Sequence, residues 1–218
     1  MTDSFESRRE AMVDSQILTN KVTDPLLEAA LRAVPREAFA PKALRAVAYL
    51  DEDLEVGPGR FLMEPMIFAR LLQALNLNSE DVVLEVACGA GYGAAVMARL
   101  ASTVVALDAE GELAERAGEA LNEQGIDNVA MVTGDVATGL PEQGPYSAIF
   151  FNGAVSAVPD AYFEQLADGG RLVVVERGEG IGRAKLYTRR GDSVAGRELF
   201  DAQIPLLPEF EAEETFVF

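Results

Sequence analysis

Short apolar, β-branched runs recur between residues 81 and 176, each bounded by turn residues: DVVLEV (81–86), STVVALD (102–108), NVAMVTGD (128–135), YSAIFFN (146–152) and GRLVVVE (170–176). Near-continuous apolar runs of this length suit strands buried on both faces of a parallel sheet. Helical periodicity fills the gaps. In EGELAERAGEALNEQG, Leu113, Ala117, Ala120 and Leu121 share one face and Gly125 stands where a C′ glycine belongs. VPDAYFEQLADGG predicts a second helix, again closed by glycines. Strand–helix alternation of this kind predicts an α/β fold with a doubly wound, mostly parallel sheet.

Residues 1–79 carry a different pattern, helical and without repeating strands. TDPLLEAALRAVP opens with an Asp cap and Pro25 at the first helical position. EPMIFARLLQALNLN repeats the device with Pro65, and Phe68, Leu71, Leu72 and Leu75 form a stripe for packing on the sheet. Between them LEVGPGRFLME (54–64), with Gly57, Pro58 and Gly59, predicts a loop. After residue 177 the turn GEGIG leads into RAKLYTRRGD, a hairpin arm, and then an apolar tail. The pattern divides the chain into a helical cap with its loop (1–79) and a Rossmann-like domain (80–218), joined as one structural unit.

Composition narrows the chemistry. With 36 acidic against 18 basic residues the formal charge is −18, which argues against a nucleic-acid partner, since that binding rests on Lys and Arg neutralising phosphates. Cys88 is the only cysteine, so no intrachain disulfide or thiolate metal cluster is expected, and no metal is assigned. Histidine is absent, which removes Ser-His-Asp, Cys-His and His-ligated mechanisms together. The opening MTDSFESRRE is mixed and polar, and the longest apolar stretch is broken by Glu85, glycines and Arg99. The expectation is a cytoplasmic chain without membrane partners, a monomer by default.

The stretch LEVACGAGYGAA (84–95) places a glycine turn between a strand and a helix, where backbone N–H groups can receive a ligand. Gly89, Gly91 and Ala94 satisfy the dinucleotide spacing, and Asp108 follows at about the ~20-residue distance of a ribose-binding acid. Three acids shift the balance to S-adenosylmethionine. Glu85 precedes the turn, where it suits a methionyl ammonium and would repel a pyrophosphate. Asp108 ends the second strand and can accept from ribose hydroxyls. Asp135 ends the third, in reach of an adenine amino group. One such acid alone reads as a solvated strand end or a cap; three in register with the turn read as a cofactor site. Its lining is assigned to Glu85, Ala87, Gly89, Gly91, Asp108, Ala109, Asp135 and Val136. A nicotinamide dehydrogenase is the competing class.

The sequence resembles the protein-L-isoaspartate O-methyltransferase family. VLEVACGAGYGAAVMARL is similar to its motif I, with Ala87 where glycine is usual; MVDSQI, VTDPLLEAALRAVPREAFAP and AYLDEDLEVG are similar to its N-terminal signature. DNVAMVTGD, PYSAIFFNGAVSAVP, LADGGRLVVV and IPLLPEF continue the likeness. The resemblance implies a class I methyltransferase fold of seven strands, S-adenosylmethionine as cofactor with S-adenosylhomocysteine as product, and a protein or peptide substrate. The methyl acceptor is then the free carboxylate of an isoaspartyl residue, a protein repair reaction.

It also exposes a gap. Between Gly59 and Pro65 the family carries Thr-Ile-Ser, whose hydroxyls line the transfer site; here Phe61-Leu62-Met63 stand instead. Buried carboxylates without donors are costly. Met63 and Asn152 are the candidate acceptor-site positions, with Arg60, Phe61 and Leu62 as the substrate loop; Asn152 also reads as a turn residue. Three accounts stay open: isoaspartyl methylation through other donors such as Arg60 or loop N–H groups, methylation of another acceptor, and cofactor binding without catalysis. Arg32, Arg36, Arg45 and Arg60 read first as surface cations paired with the many acids. Cys88 reads as a small filler, and Tyr92 as packing or a cofactor contact.

Overall fold

The computed structural model describes residues 4–178 and 180–211; the first three residues of the polar opening, Glu179 of the GEGIG turn and the last seven residues lie outside it. The apolar runs become β3 (Val82–Val86), β4 (Thr103–Asp108), β5 (Val129–Thr133), β6 (Tyr146–Val155) and β7 (Leu166–Glu176), all parallel. A hairpin, β8 (Arg183–Arg190) and β9 (Ser193–Asp201), extends the sheet antiparallel from β7, giving the order β5-β4-β3-β6-β7-β8-β9. The hairpin arm expected after residue 177 is this pair.

Alternation along the strands sends side chains to two apolar layers. Val83, Val104, Phe150 and Val173 face α1 (Phe5–Met12), α2 (Pro25–Ala33), α3 (Pro65–Leu75), α4 (Tyr92–Met97) and α5 (Gly111–Glu123). Leu84, Val105, Phe151 and Leu172 face the short α6 (Asp160–Glu164) and the C-terminal segment, where Phe151 stacks edge-on with Tyr162 and Phe210. The first layer is continuous from Met12 in the N-terminal helices to Val175 in the sheet. Among the described residues no helix is long and apolar enough to cross a membrane.

Helix starts follow their caps. Asp24 Oδ1 accepts from the N–H groups of Leu26 and Leu27 ahead of Pro25, and Asp51 Oδ1 accepts from Met66 N at the start of α3. Two elements differ from the sequence pattern. Residues 54–64 are not a loop but a small antiparallel hairpin, β1 (Leu54–Gly57) and β2 (Arg60–Leu62), turned by Pro58 and Gly59. Pairing, together with burial of Leu54, Val56, Arg60 and Leu62, holds strands too short to show a period. The helix expected over VPDAYFEQLADGG stops at Glu164, and LADGG joins β7; the ladder passes from Leu166 to Arg171 by a bulge that absorbs the glycines.

Candidate cofactor and acceptor site

The carboxyl ends of β3 and β4 meet the turn between β3 and α4. Ala87 (φ 58°), Gly89 (φ 57°) and Gly91 (φ 86°) all lie in the left-handed region. Glycine enters this region freely; an alanine there costs about 1–2 kcal/mol. Ala87 therefore holds by strain the turn that the family's glycine makes freely. Gly91 is packed against Ala117 and Leu121 of α5, and a side chain at Gly93 would have to displace the Glu85 carboxylate.

Glu85 is fully buried, and neither carboxylate oxygen has a hydrogen-bond partner of normal geometry. Burial first, and then the charge of Asp108, holds its carboxyl well above the usual carboxylate range, with partial relief from Ala94 N–H at the start of α4. Asp108 is equally buried but fully engaged. Its Oδ2 accepts from Gly89 N (2.8 Å), its Oδ1 from Glu110 N (3.2 Å), and both oxygens face Arg60 Nε at 3.0 and 3.1 Å. Arg60 in turn donates from Nη2 and Nη1 to Glu209 at 2.5 and 3.2 Å. Desolvation pulls the Arg60 pKa down, but the Glu209 and Asp108 carboxylates more than offset it and leave it raised.

Asp135 stands apart from this buried pair. It is exposed and caps its own turn, accepting from Ala137 N and Thr138 Oγ1, both at 2.9 Å. Val136 beside it is buried, its carbonyl accepting from Tyr162 OH, and Ala109 is exposed. Cys88 is buried, and burial with the nearby Glu85 and Asp108 charges pushes its thiol pKa well up, which leaves it unreactive.

The expected acceptor positions line a narrow cleft of about 10 Å³, formed by Phe61, Met63, Ile204 and Leu207 with Asp53 and Asn152. That is room for no more than a water molecule. Asn152 is not in a turn; it lies inside β6, buried, and its Nδ2 donates to the Cys88 carbonyl at 3.4 Å. Leu62 is buried in register with Leu54. Arg60, expected in the substrate loop, turns toward the cofactor edge instead, because alternation in β2 buries positions 60 and 62 and leaves Phe61 at the cleft.

Arg36 is the residue that sequence reasoning missed. Read as a surface cation, it is wholly buried: Nε donates to Ala48 O (2.6 Å), Nη2 to Met63 O (2.7 Å), and the guanidinium lies 5.0 Å from the Tyr92 ring centroid. Desolvation lowers its pKa. Tyr92 is thereby a packing residue, wedged between Phe39 and Phe68. Arg32 alone follows the surface expectation fully, pairing with Glu10, Asp14 and Glu28.

Acids crowd the cleft's outer rim. Glu64 is pushed up to about 7 by desolvation, then by Asp53 and Asp51, against an ordinary 4.5. A carboxyl whose folded pKa is raised favours the fold while protonated, so its contribution is present below pH 4.5 and lost as pH rises through 7. Glu64→Gln is expected to flatten the fall in stability across that window, checked by urea denaturation at stepped pH.

The charge balance at the cofactor edge suits a cationic ligand. Of the two buried carboxylates, only Asp108 faces the buried Arg60 guanidinium, which is already shared with Glu209, and Glu85 remains without a counter-charge. S-adenosylmethionine brings an ammonium and a sulfonium, and a buried carboxylate without a partner fits such a cation. A seven-stranded, mostly parallel sheet with this turn and these strand-end acids defines a class I S-adenosylmethionine-dependent methyltransferase.

The sequence model of the protein-L-isoaspartate(D-aspartate) O-methyltransferase family matches residues 7–204, and the chain belongs to that family. It is 41% identical over 207 residues to protein-L-isoaspartate O-methyltransferase 1 of Rhodopseudomonas palustris, covering 94% of this chain and 84% of the relative. It is 41% identical over 169 residues to protein-L-isoaspartate O-methyltransferase 2 of Pelobacter propionicus, covering 78% of this chain and 75% of the relative. A solved protein-L-isoaspartate O-methyltransferase superposes with a TM-score of 0.79 at 26% identity, covering 93% of this chain and 65% of that longer one. A Plasmodium falciparum structure bearing the family's name, in complex with S-adenosyl-L-homocysteine, shares the fold at a TM-score of 0.79 and 18% identity, covering 95% of this chain and 99% of that one.

Proposed function

We propose that this chain transfers the methyl group of S-adenosylmethionine to the free carboxylate of isoaspartyl residues in damaged proteins. The observation that carries this reading is the family match, which runs through the N-terminal segment and hairpin that frame the cleft and not only through the shared cofactor half. When bound, the cofactor supplies an electrophilic methyl on a sulfonium. Glu85 holds the ammonium and Asp108 the ribose, with Ala87, Gly89 and Gly91 shaping the turn, Ala109 following Asp108 at the ribose, and Asp135 and Val136 at the adenine side.

A carboxylate is already a nucleophile at neutral pH, so this chemistry asks for alignment and desolvation and no general base. The absence of histidine is in keeping with that. Phe61, Met63, Ile204 and Leu207 give the cleft an apolar wall. Asn152 orients the acceptor. A primary amide carries two N–H groups, and among the described contacts Asn152 spends one long bond on Cys88. We further place the protein in the cytoplasm, as a monomer acting on protein or peptide and not on nucleic acid, which its excess of acid opposes.

Asp53 at the cleft favours a second reading, since it repels a carboxylate and suits a neutral or cationic acceptor. The test is transfer of labelled methyl to an isoaspartyl peptide, with the aspartyl peptide as control and cofactor binding confirmed on the same sample. Base-labile label on the isoaspartyl peptide alone is the expected result. Cofactor binding without transfer would move the reading to another acceptor or to a non-catalytic module. Met63→Ser, which restores one hydroxyl, is expected to raise kcat/KM for the isoaspartyl peptide by about tenfold, the low end for a hydrogen bond to a charged group. An unchanged or lower value would show that the missing hydroxyl is not what limits transfer.

A further inference from the structure

We propose that Arg60 is a built-in gate on the cofactor site, resting on the reading that Asp108 holds the ribose. Its Nε covers both Asp108 oxygens at 3.0 and 3.1 Å, the atoms that ribose hydroxyls need. The remaining capacity of that carboxylate goes to Gly89 N and Glu110 N, so no face is left over for a ligand. Ribose and guanidinium compete for one carboxylate.

The gate is clamped from the other side by the C-terminal strap. Glu209 receives both terminal nitrogens of the guanidinium, a two-point pairing that fixes its plane. The strap is itself anchored: Leu207 N donates to Ala154 O, Ser156 Oγ to Phe210 O, and Phe210 packs on Phe151. Gly59, at the hairpin turn, lies against Pro208 with no room for a side chain, so hairpin and strap close as one piece over the strand ends.

Cofactor entry therefore requires Arg60 to leave Asp108, and the apparent affinity is the intrinsic one scaled by the fraction of open molecules. Binding makes up the loss, because the ribose hydroxyls replace Nε at Asp108 and the guanidinium is freed to Glu209 and water. The gate is specific for ligands that carry the diol. Methionine alone, lacking it, has nothing with which to displace the guanidinium.

The test is calorimetric titration of S-adenosylhomocysteine into the full chain and its variants. Arg60→Gln is expected to bind roughly tenfold tighter than wild type, as expected when a closed state dominant by that factor is removed. Arg60→Lys, which keeps a cation facing Asp108, is expected to stay near wild type. A purely structural role for Arg60 predicts weaker binding on its loss, so tightening is a readout that role does not give. Equal or weaker binding by Arg60→Gln overturns the gate while leaving the cofactor reading intact. Binding by neither protein overturns both. Should Arg60→Gln fail to fold, Glu209→Gln decides: the closed state loses its half-buried clamp while the open one loses only a hydrated pair. A few-fold tightening supports the gate, and unchanged affinity overturns it.

Discussion

Glu85→Gln will weaken S-adenosylhomocysteine binding by roughly 100-fold, the loss expected when one partner of a buried charge pair is removed. The same substitution makes the ligand-free protein increasingly favoured over wild type as pH rises. Both effects come from one carboxyl that the fold buries without a partner. Burial, and then Asp108, raises its pKa well above 4.5, so the free protein holds it protonated beyond the ordinary range. A group raised in this sense stabilises the fold below its unfolded pKa, and that contribution is lost as pH rises toward the folded one. Glutamine does not titrate, so the variant escapes the loss.

Binding turns the sign around. An ammonium arriving beside Glu85 favours the ionised carboxylate, so association expels a proton and affinity rises with pH until the carboxyl ionises unaided. Titration in buffers of different ionisation enthalpy counts that proton. The expected result is proton release on binding by wild type and none by Glu85→Gln. Equal release by both would remove Glu85 from the methionyl end and leave it as a buried strand residue under α4.

What could be read from the sequence follows the range of the forces involved. The central strands were legible because burial on both faces writes an uninterrupted apolar run, as in Val82–Val86, and α2 and α3 because Pro25 and Pro65 mark first turns. The β1–β2 hairpin was not, because strands of four and three residues carry no period and Gly57, Pro58 and Gly59 read as loop. The glycines of LADGG read as a helix end where they serve a bulge. Around the glycine turn, the positions of Glu85 and Asp108 toward the carboxyl ends of β3 and β4 were legible from the strand pattern. Arg60 was not, since its partners stand 48 and 149 residues away and only the closed fold brings them together. Asp135 stands just beyond β5, as the strand pattern expects, and its local bonds to Ala137 N and Thr138 Oγ1 are of the short range that sequence shows.

Arg36 is the other long-range residue, and its loss carries the largest expected cost in stability. Arg36→Met should lower the free energy of unfolding by about 3 kcal/mol, leaving two buried carbonyls unpaired at ~1–3 kcal/mol each, less the desolvation cost that the guanidinium no longer incurs. For a chain of this size that corresponds to a fall in Tm of roughly 6–12 °C, measurable by calorimetry. Arg36→Lys is expected to recover less than half of it, because an ammonium cannot span Ala48 O and Met63 O while stacking on Tyr92. The functional consequence is uneven. Met63 loses the donor that fixes its carbonyl, so KM for the isoaspartyl peptide should rise more than the Kd for S-adenosylhomocysteine, which depends on the strand ends. A parallel rise in both would mean that Arg36 acts through Tyr92 and the glycine turn, and that one buried guanidinium sets the spacing between the cofactor and acceptor halves of the site.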